Sequence, residues 1–221
     1  MADGSGAAGK ITMYFDVVSP FSYLAWLQLR QIESAWTDVQ ICLRPFKLGQ
    51  VVRATKNVVP GAVPAKAKWA YIDLQRAASA AGISPIRMPA VFPFPTDNVL
   101  RFLSAFASDP PSLMLATGVF YNAIFTQGRA IVTPEDIRRE IGTSLPSDVV
   151  ETALRFAASP ESRSVLKKTT EDALAAGAFG APTIIVDVPN RKSQFFFGSD
   201  RFHQIAALFN RPLPDQQRAM L

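Results

Sequence analysis

The sequence has few of the residues that most often carry redox or metal chemistry. It contains one cysteine and one histidine in 221 residues. One cysteine can form neither an intrachain disulfide nor a C-x-x-C pair, which excludes a dithiol–disulfide oxidoreductase. One histidine excludes a metal site with several histidine ligands, and a serine–histidine–aspartate triad would have to use His203. We therefore expect no metal cofactor.

The single cysteine, Cys42, lies in an apolar run over residues 39–43. Such a run predicts a buried strand, where a free cysteine behaves as a small hydrophobic side chain. We therefore expect Cys42 to belong to the core rather than to act as a reactive thiol.

Concentrated charge and long apolar runs are also missing. Charged residues make up 19% of the chain, and the formal net charge is +5. The most apolar stretch, residues 113–125, is shorter than a membrane span and contains polar residues. Basic residues are adjacent only at Arg138–Arg139, Lys167–Lys168 and Arg191–Lys192. We expect neither a membrane nor a nucleic acid as partner, and the slight basic excess favours a small anionic substrate.

Both ends of the chain bear on location. Residues 1–10 are small and polar and lack the apolar segment of a signal peptide. Ala219 and Leu221 match a peroxisomal carboxy-terminal address, but Met220 stands where that signal needs a basic residue. The sequence thus favours an intracellular protein and leaves the cytoplasm, the mitochondrion and the peroxisome open.

The most informative stretch is the corner where the first apolar segment ends. Alternating apolar residues predict a strand over residues 11–17, and a helical pattern follows over about residues 20–36. Ser19 and Pro20 stand between them, which places the Ser19 hydroxyl at a helix N-terminus. Unpaired N–H groups and the positive end of the helix dipole meet there, so this corner is suited to bind an anion.

The rest of the chain divides into three parts. A second strand at residues 39–43 completes a strand–helix–strand unit, whose strands should be parallel with a right-handed crossover. A helical block with Pro-rich breaks follows. Its expected helices cover residues 66–81 and 112–125, one is capped by residues 96–98, and others begin at Pro134, Ser147 and Pro160. Strands at residues 183–188 and 194–197 then predict a hairpin, and Ser199 and Asp200 are expected to cap a final helix.

This order predicts one α/β sheet domain, residues 10–52 and 178–221, interrupted by an all-helical insertion of residues 53–177. A sheet with a functional corner after its first strand is a thioredoxin-like βαβ–ββα arrangement, of the DsbA-like type when it carries a helical insertion. Residues 19–22 occupy the place of the C-x-x-C pair.

The sequence resembles, over nearly its whole length, the kappa-class glutathione transferases and their bacterial relatives, the 2-hydroxychromene-2-carboxylate isomerases. Each of the motifs that carry the resemblance is weak alone, but all occur in the family's order. They are residues 15–22, 43–45, 57–66, 177–183 and 197–201.

The resemblance implies that Ser19 is catalytic and hydrogen-bonds the sulfur of glutathione, with Pro20 and Phe21 in the same site. The free thiol has a pKa of about 8.5 and is mostly protonated at neutral pH. Lowering it by one unit requires about 1.4 kcal/mol, and a hydrogen bond to a charged group supplies roughly 1.5–3 kcal/mol. Ser19 also fits a simple helix cap, a role compatible with catalysis, while Ser22, one turn further on, fits a structural role.

Ala181 and Pro182 resemble the cis-proline loop of thioredoxin-like folds. There the residue before the proline offers its backbone N–H and C=O to a bound peptide, here the cysteinyl part of glutathione. Relatives often carry Leu where Ala181 stands, but a backbone contact depends little on that side chain. A trans proline that begins an edge strand is the alternative.

Other glutathione contacts are implied by the resemblance alone. Ser199 and Asp200 would hold the γ-glutamyl carboxylate and amine, although both also fit a helix cap. Asn57 and Lys66 would contact the glutathione backbone and the glycine carboxylate.

The resemblance also implies a homodimer. Asp73 and Arg201 match family positions near the γ-glutamyl end, either within one subunit or across the dimer interface. Phe21, Trp69 and Phe92 are candidate walls for a small apolar electrophile, although such residues more often pack in a core.

Three functions stay open. In a kappa-type glutathione transferase, the thiolate attacks an electrophile or a peroxide. In an isomerase, glutathione adds to a hydroxychromene carboxylate and leaves again. A third possibility is a module that binds a thiol or peptide without turnover. Residues 19–23 and 197–201 favour the transferase, but the two enzymes share one thiolate site and the motifs do not separate them.

Overall fold

The computed structural model describes residues 8–83 and 85–214, and a four-stranded sheet with strand order β2-β1-β3-β4 lies at their centre. The strands are β1 (Gly9–Phe15), β2 (Val39–Pro45), β3 (Thr183–Asp187) and β4 (Gln194–Phe197). β1 pairs in parallel with β2 and antiparallel with β3, which pairs antiparallel with β4. The predicted parallel unit and the predicted hairpin are both confirmed.

Apart from α2, the helices follow one another in the predicted order. Helix α1 (Pro20–Ala35) joins β1 to β2. The block between β2 and β3 contains α2 (Leu48–Thr55), α3 (Pro64–Ala80), α4 (Asp97–Ser104), α5 (Pro110–Tyr121), α6 (Pro134–Ile141), α7 (Ser147–Ala158) and α8 (Pro160–Ala175). Helix α9 (Phe202–Leu208) follows β4. A 3₁₀ turn at Pro60–Ala62 and a π-helical turn at Asn122–Thr126 complete the block.

Hydroxyl–proline pairs begin three of these helices, as predicted. Ser19 caps α1, Thr133 caps α6 and Ser159 caps α8. In each case the cap hydroxyl accepts the N–H of the residue three positions further on, which satisfies one of the unpaired donors of the first turn.

The first strand ends earlier than expected. It was predicted to reach Val17, but β1 stops at Phe15 and the next residues form a turn. In that turn the Ser19 N–H donates to the Asp16 carbonyl at 3.0 Å, and the Asp16 carboxylate accepts the Val18 N–H at 3.2 Å. Val17 is nevertheless fully buried. The alternation of apolar residues therefore predicted correctly that Val17 is buried, but it placed the end of the strand two residues too late.

Helix α2 was missing from the predicted elements. Leu48, Val51 and Val52 have helical spacing, but the segment is short and lies directly after a strand. The helix runs across the predicted domain boundary after residue 52. Sheet and helices also share one hydrophobic cluster, in which the ring centroids of Phe15 of β1 and Tyr121 of α5 lie 6.2 Å apart. The boundaries of the two predicted domains therefore stay predictions.

Cys42 is not the core residue that we expected. β2 is an edge strand, and its residues alternate between the core and the surface. Ile41 and Leu43 are buried, whereas Gln40 and Arg44 are exposed. Cys42 shares the outward side with the latter two and is half-buried.

The described residues include no helix that is long and apolar enough to cross a bilayer. Within the same residues, no three or more His, Cys, Asp and Glu side chains form a group that could hold a metal ion. The carboxy-terminal Ala219, Met220 and Leu221 lie outside the described part of the chain.

Candidate active site

Ser19 lies at the corner between β1 and α1 with its hydroxyl engaged on both sides. The side chain is 5% exposed. Its Oγ accepts the Ser22 N–H at 3.2 Å and donates to the Ala181 carbonyl at 3.3 Å. A hydroxyl has one proton to donate, so a ligand that takes this hydrogen bond must displace the Ala181 carbonyl. The predicted cap role is confirmed, and the O–H donor is directed at the cis-proline loop.

The first turn of α1 contains no acidic side chain that would offset the positive end of the helix dipole. Pro20 has no N–H, the Ser22 N–H is bound by Ser19, and the Tyr23 N–H donates to the Ser19 carbonyl. Among the described residues, the Phe21 N–H makes no hydrogen bond. This helix end therefore presents a free backbone donor and the positive end of the dipole beside the Ser19 hydroxyl.

Ala181 and Pro182 are joined by a cis peptide bond, as the resemblance implied. The loop that contains them is held by its carbonyls. Asn57 Nδ2 donates to the Phe179 carbonyl at 2.7 Å, and Thr183 Oγ1 donates to the Gly180 carbonyl at 2.9 Å. The Ala181 N–H has no partner within residues 8–83 and 85–214 and is a second free backbone donor near Ser19.

Glycine is required at position 180 by the packing of this loop on β4. A Cβ atom there would lie 2.8 Å from the Phe197 ring. Phe179 packs against the same ring, with the ring centroids 4.4 Å apart. The Phe179–Gly180 pair of the motif therefore fixes the approach to Ala181. A second cis bond, Phe92–Pro93, had not been predicted.

Ser199 and Asp200 do not cap the last helix, so that prediction was wrong. Helix α9 begins at Phe202 with Arg201 as the capping residue, and the two candidates lie in the bend before it. Their polar groups are tied elsewhere. The Ser199 carbonyl accepts Gln28 Nε2 at 2.7 Å, and the exposed Asp200 carboxylate pairs with Arg201 at 3.4 Å.

Sequence reasoning missed Gln28. It stands on the apolar helix α1 and connects the helix that Ser19 begins to the Ser199–Asp200 bend. The only signal in the sequence was a polar residue between Leu27 and Leu29, and this signal did not indicate which residue Gln28 would contact.

Asp16 was part of a motif but had been given no role. Its side chain is 3% exposed, and burial raises the pKa of its carboxyl to about 6. The N–H groups of Val18 and Leu48 and the hydroxyl of Thr96 act against this rise, whereas the charge of Asp97 adds to it.

The candidate residues from the helical block make fewer contacts with the other candidate residues of the site. Asn57 follows α2 and reaches the cis-proline loop, as described above. Lys66 is exposed in the first turn of α3, and Asp73 is half-buried two turns later, on the same face of that helix. Among the described residues, neither makes a hydrogen bond or ion pair with another candidate residue.

The three aromatic candidates lie at or near the surface rather than in the core. Trp69 is 61% exposed and Phe92 is 40% exposed, while Phe21 is half-buried. Their role as walls for an apolar substrate stays a prediction.

The chain matches the family described as "DSBA-like thioredoxin domain" over residues 10–210. Glutathione S-transferase kappa 1 of Caenorhabditis elegans is 30% identical over 214 residues, which cover 93% of this chain and 92% of the relative. A 2-hydroxychromene-2-carboxylate isomerase of Sphingobium xenophagum is 29% identical over 86% of this chain and 93% of the relative.

A solved structure, a selenomethionine form of 2-hydroxychromene-2-carboxylate isomerase, has a TM-score of 0.76 at 22% identity. The match covers 96% of this chain and 99% of that one. The predicted fold and the predicted family resemblance are both confirmed.

Proposed function

Because the chain belongs to the DSBA-like thioredoxin domain family and is 30% identical to a kappa glutathione S-transferase, we propose that it is a glutathione transferase of that type. It binds glutathione as a cosubstrate, without a metal, and directs the glutathione thiolate at small apolar electrophiles or peroxides.

The observation that carries this proposal is the Ser19 corner. A hydroxyl donor, a free Phe21 N–H and a first helical turn without acidic residues meet at one place. All three favour the charged form of a bound thiol and so lower its pKa. A hydrogen bond to a charged group, worth roughly 1.5–3 kcal/mol, accounts for a lowering of one to two units.

Binding would exchange hydrogen bonds at the cis-proline loop. The Ser19 hydroxyl leaves the Ala181 carbonyl and donates to the glutathione sulfur. The freed carbonyl accepts the N–H of the cysteinyl residue, and the Ala181 N–H donates to its carbonyl, as in an added antiparallel strand. The Ser19 hydroxyl and the Ala181 carbonyl each exchange one partner for another, the Ala181 N–H gains a partner, and none of the three groups is left unpaired.

The two ends of glutathione carry charges that other candidates match. Asp200 pairs with the γ-glutamyl amine, and the Ser199 bend and Arg201 lie beside the γ-glutamyl carboxylate. Lys66 pairs with the glycine carboxylate. Asn57, whose Nδ2 already holds the loop, positions residues 179–181 and offers its Oδ1 to the peptide.

Assembly and location are part of the same proposal. We expect a homodimer, as the resemblance to the kappa-type enzymes implies, and an intracellular protein. Asp73 completes the γ-glutamyl end, within one subunit or across the interface.

An isomerase is the second candidate, favoured by the 29% identity to a 2-hydroxychromene-2-carboxylate isomerase. It would use the same thiolate, which adds to the substrate and leaves again. A protein that binds a thiol or peptide without turnover is the third.

The test combines binding and turnover. Calorimetric titration with glutathione near neutral pH, in two buffers of different ionisation enthalpy, should show binding with release of a proton. Turnover of an aryl halide or an organic hydroperoxide supports the transferase, whereas isomerisation of hydroxychromene carboxylate supports the second candidate. Absence of glutathione binding would overturn both enzymes, and binding without either reaction would leave the third function.

A further inference from the structure

A set of contacts connects the Ser19 corner to the cis-proline loop by a second route, through the buried Asp16. One carboxylate oxygen of Asp16 accepts the Val18 N–H at 3.2 Å and so holds the turn that ends at Ser19. The other oxygen accepts the Leu48 N–H at 3.1 Å, at the first residue of α2. One side chain thus fastens the catalytic corner to the start of a second helix.

Helix α2 carries this connection back to the loop. Asn57 follows the helix and donates to the Phe179 carbonyl. Two residues later, the Ala181 carbonyl accepts the Ser19 hydroxyl. The path from Asp16 through α2, Asn57 and the loop returns to Ser19 and is therefore a closed ring, which contains both the Ser19 hydroxyl and the Ala181 carbonyl.

We propose that Asp16 is a positioning residue, whose ionised carboxylate sets the distance between the Ser19 corner and the cis-proline loop. This inference rests on the proposed function, because the ring matters only if a thiol ligand binds to the Ser19 corner and the cis-proline loop. Protonation would weaken the acceptor of two backbone N–H groups that belong to different elements. The ring would then be loosest in acid and tightest once Asp16 is ionised.

The groups around Asp16 determine the pH at which this change occurs. Thr96 and Asp97 face it from α4, and Lys47 at the start of α2 pairs with Asp97. The Tyr121 hydroxyl, on α5, is fully buried, and burial keeps its pKa well above the usual range, so it stays neutral. Burial without a direct cationic partner explains why the pKa of Asp16 lies at about 6.

S-methylglutathione is the suitable probe, since it has no thiol whose own ionisation would affect the measurement. We expect its affinity to fall by roughly two- to tenfold, the worth of one hydrogen bond, as the pH decreases through about 6. The affinity of Asp16→Asn for S-methylglutathione should be the same on both sides of this pH and close to the affinity of the wild type at low pH. If Asp16 acted only as a nearby negative charge, acidification would strengthen binding of this anionic ligand, and that result would overturn the proposal.

Two threonines provide a matched pair if Asp16→Asn does not fold. Thr96→Val removes the hydroxyl that favours the ionised carboxylate, so the midpoint should move to higher pH. Thr117 is also buried, and its hydroxyl has no partner among the described residues, so Thr117→Val should leave the midpoint unchanged.

His203 is exposed on α9, near the Ser199 bend, and is not among the groups that shift the pKa of Asp16. His203→Gln should therefore preserve the transition, and its loss in that variant would contradict the role of Asp16. Failure of the wild type to bind S-methylglutathione would instead count against the proposed function. Binding that is independent of pH would overturn this inference alone.

Discussion

Two helices of this molecule begin with the same two residues but differ in the partner of the serine hydroxyl and in the charge of the first turn. Ser19–Pro20 opens α1 and Ser159–Pro160 opens α8. Each serine Oγ accepts the N–H of a serine three positions on, at 3.2 Å, and each serine N–H donates to the carbonyl three positions back. As helix caps, the two are equivalent.

Their differences separate a structural cap from a candidate site. At α8 the Ser159 hydroxyl donates to the local Phe156 carbonyl, and Glu161 offsets the dipole in the first turn. At α1 the Ser19 hydroxyl donates to Ala181, 162 residues away, and Phe21 stands at the position that matches Glu161. A helix N-terminus becomes an anion site when its dipole is left uncompensated and its cap reaches another element.

The largest expected effect follows from removing each cap hydroxyl. Ser19→Ala should lower turnover of an aryl halide near neutral pH by roughly 10- to 100-fold, because less glutathione is ionised. Ser159→Ala should leave turnover unchanged. Both variants should lose about 1 kcal/mol of unfolding free energy, measured with denaturant, since both lose a cap. Equal turnover in the two variants would remove Ser19 from the mechanism.

Placing an acid at the α1 corner should make it resemble the α8 corner. Phe21→Glu adds a carboxylate beside the proposed thiolate site and should raise the pKa of the bound thiol by about one unit relative to Phe21→Gln. The glutamine variant is the control, because it removes the ring without adding charge. No difference between the two, by thiolate absorption against pH, would show that the helix end does not hold the thiolate.

A smaller effect is expected at Gln28, which ties α1 to the Ser199 bend and has no counterpart at α8. Gln28→Ala should weaken glutathione binding by roughly two- to tenfold, the worth of one hydrogen bond. Binding of cysteinylglycine, which lacks the γ-glutamyl group, should not change. Gln31→Ala is the control, since this residue of the same helix makes no side-chain hydrogen bond with the described residues. Equal weakening for both ligands would contradict a role confined to the γ-glutamyl end.

The smallest effect belongs to the acid of the structural cap. Glu161→Gln removes a negative charge from an exposed helix N-terminus, where it contributes roughly 0.3–1 kcal/mol at low salt. Unfolding with denaturant should show a loss within that range, with no change in turnover. A loss of turnover would mean that the two corners are coupled.

The same pair of corners shows how far sequence reasoning reaches. Local rules predicted both helix starts, because a hydroxyl before a proline acts within one turn. They also marked the Ser19 corner as suited to bind an anion, but they could not show that its hydroxyl reaches Ala181, which is distant in sequence. Only the resemblance to a family implied that the anion is the glutathione thiolate.

Residues with distant partners were missed for the same physical reason. Gln28 and Ser199 are 171 positions apart, and Asp16 reaches Leu48 over 32 positions. The positions of polar side chains in the sequence follow no period that would identify such distant partners. The period of apolar residues, in contrast, does predict helices and strands. The Ser199–Asp200 bend was misread as a cap because Ser and Asp favour caps and turns alike.

One measurement tests the central claim most directly: the pKa of the bound glutathione thiol, followed by its thiolate absorption in the wild type and in the two cap variants. We expect a pKa below the value of about 8.5 of the free thiol in the wild type and in Ser159→Ala. In Ser19→Ala it should return towards the free value. The same low pKa in all three proteins would contradict the account.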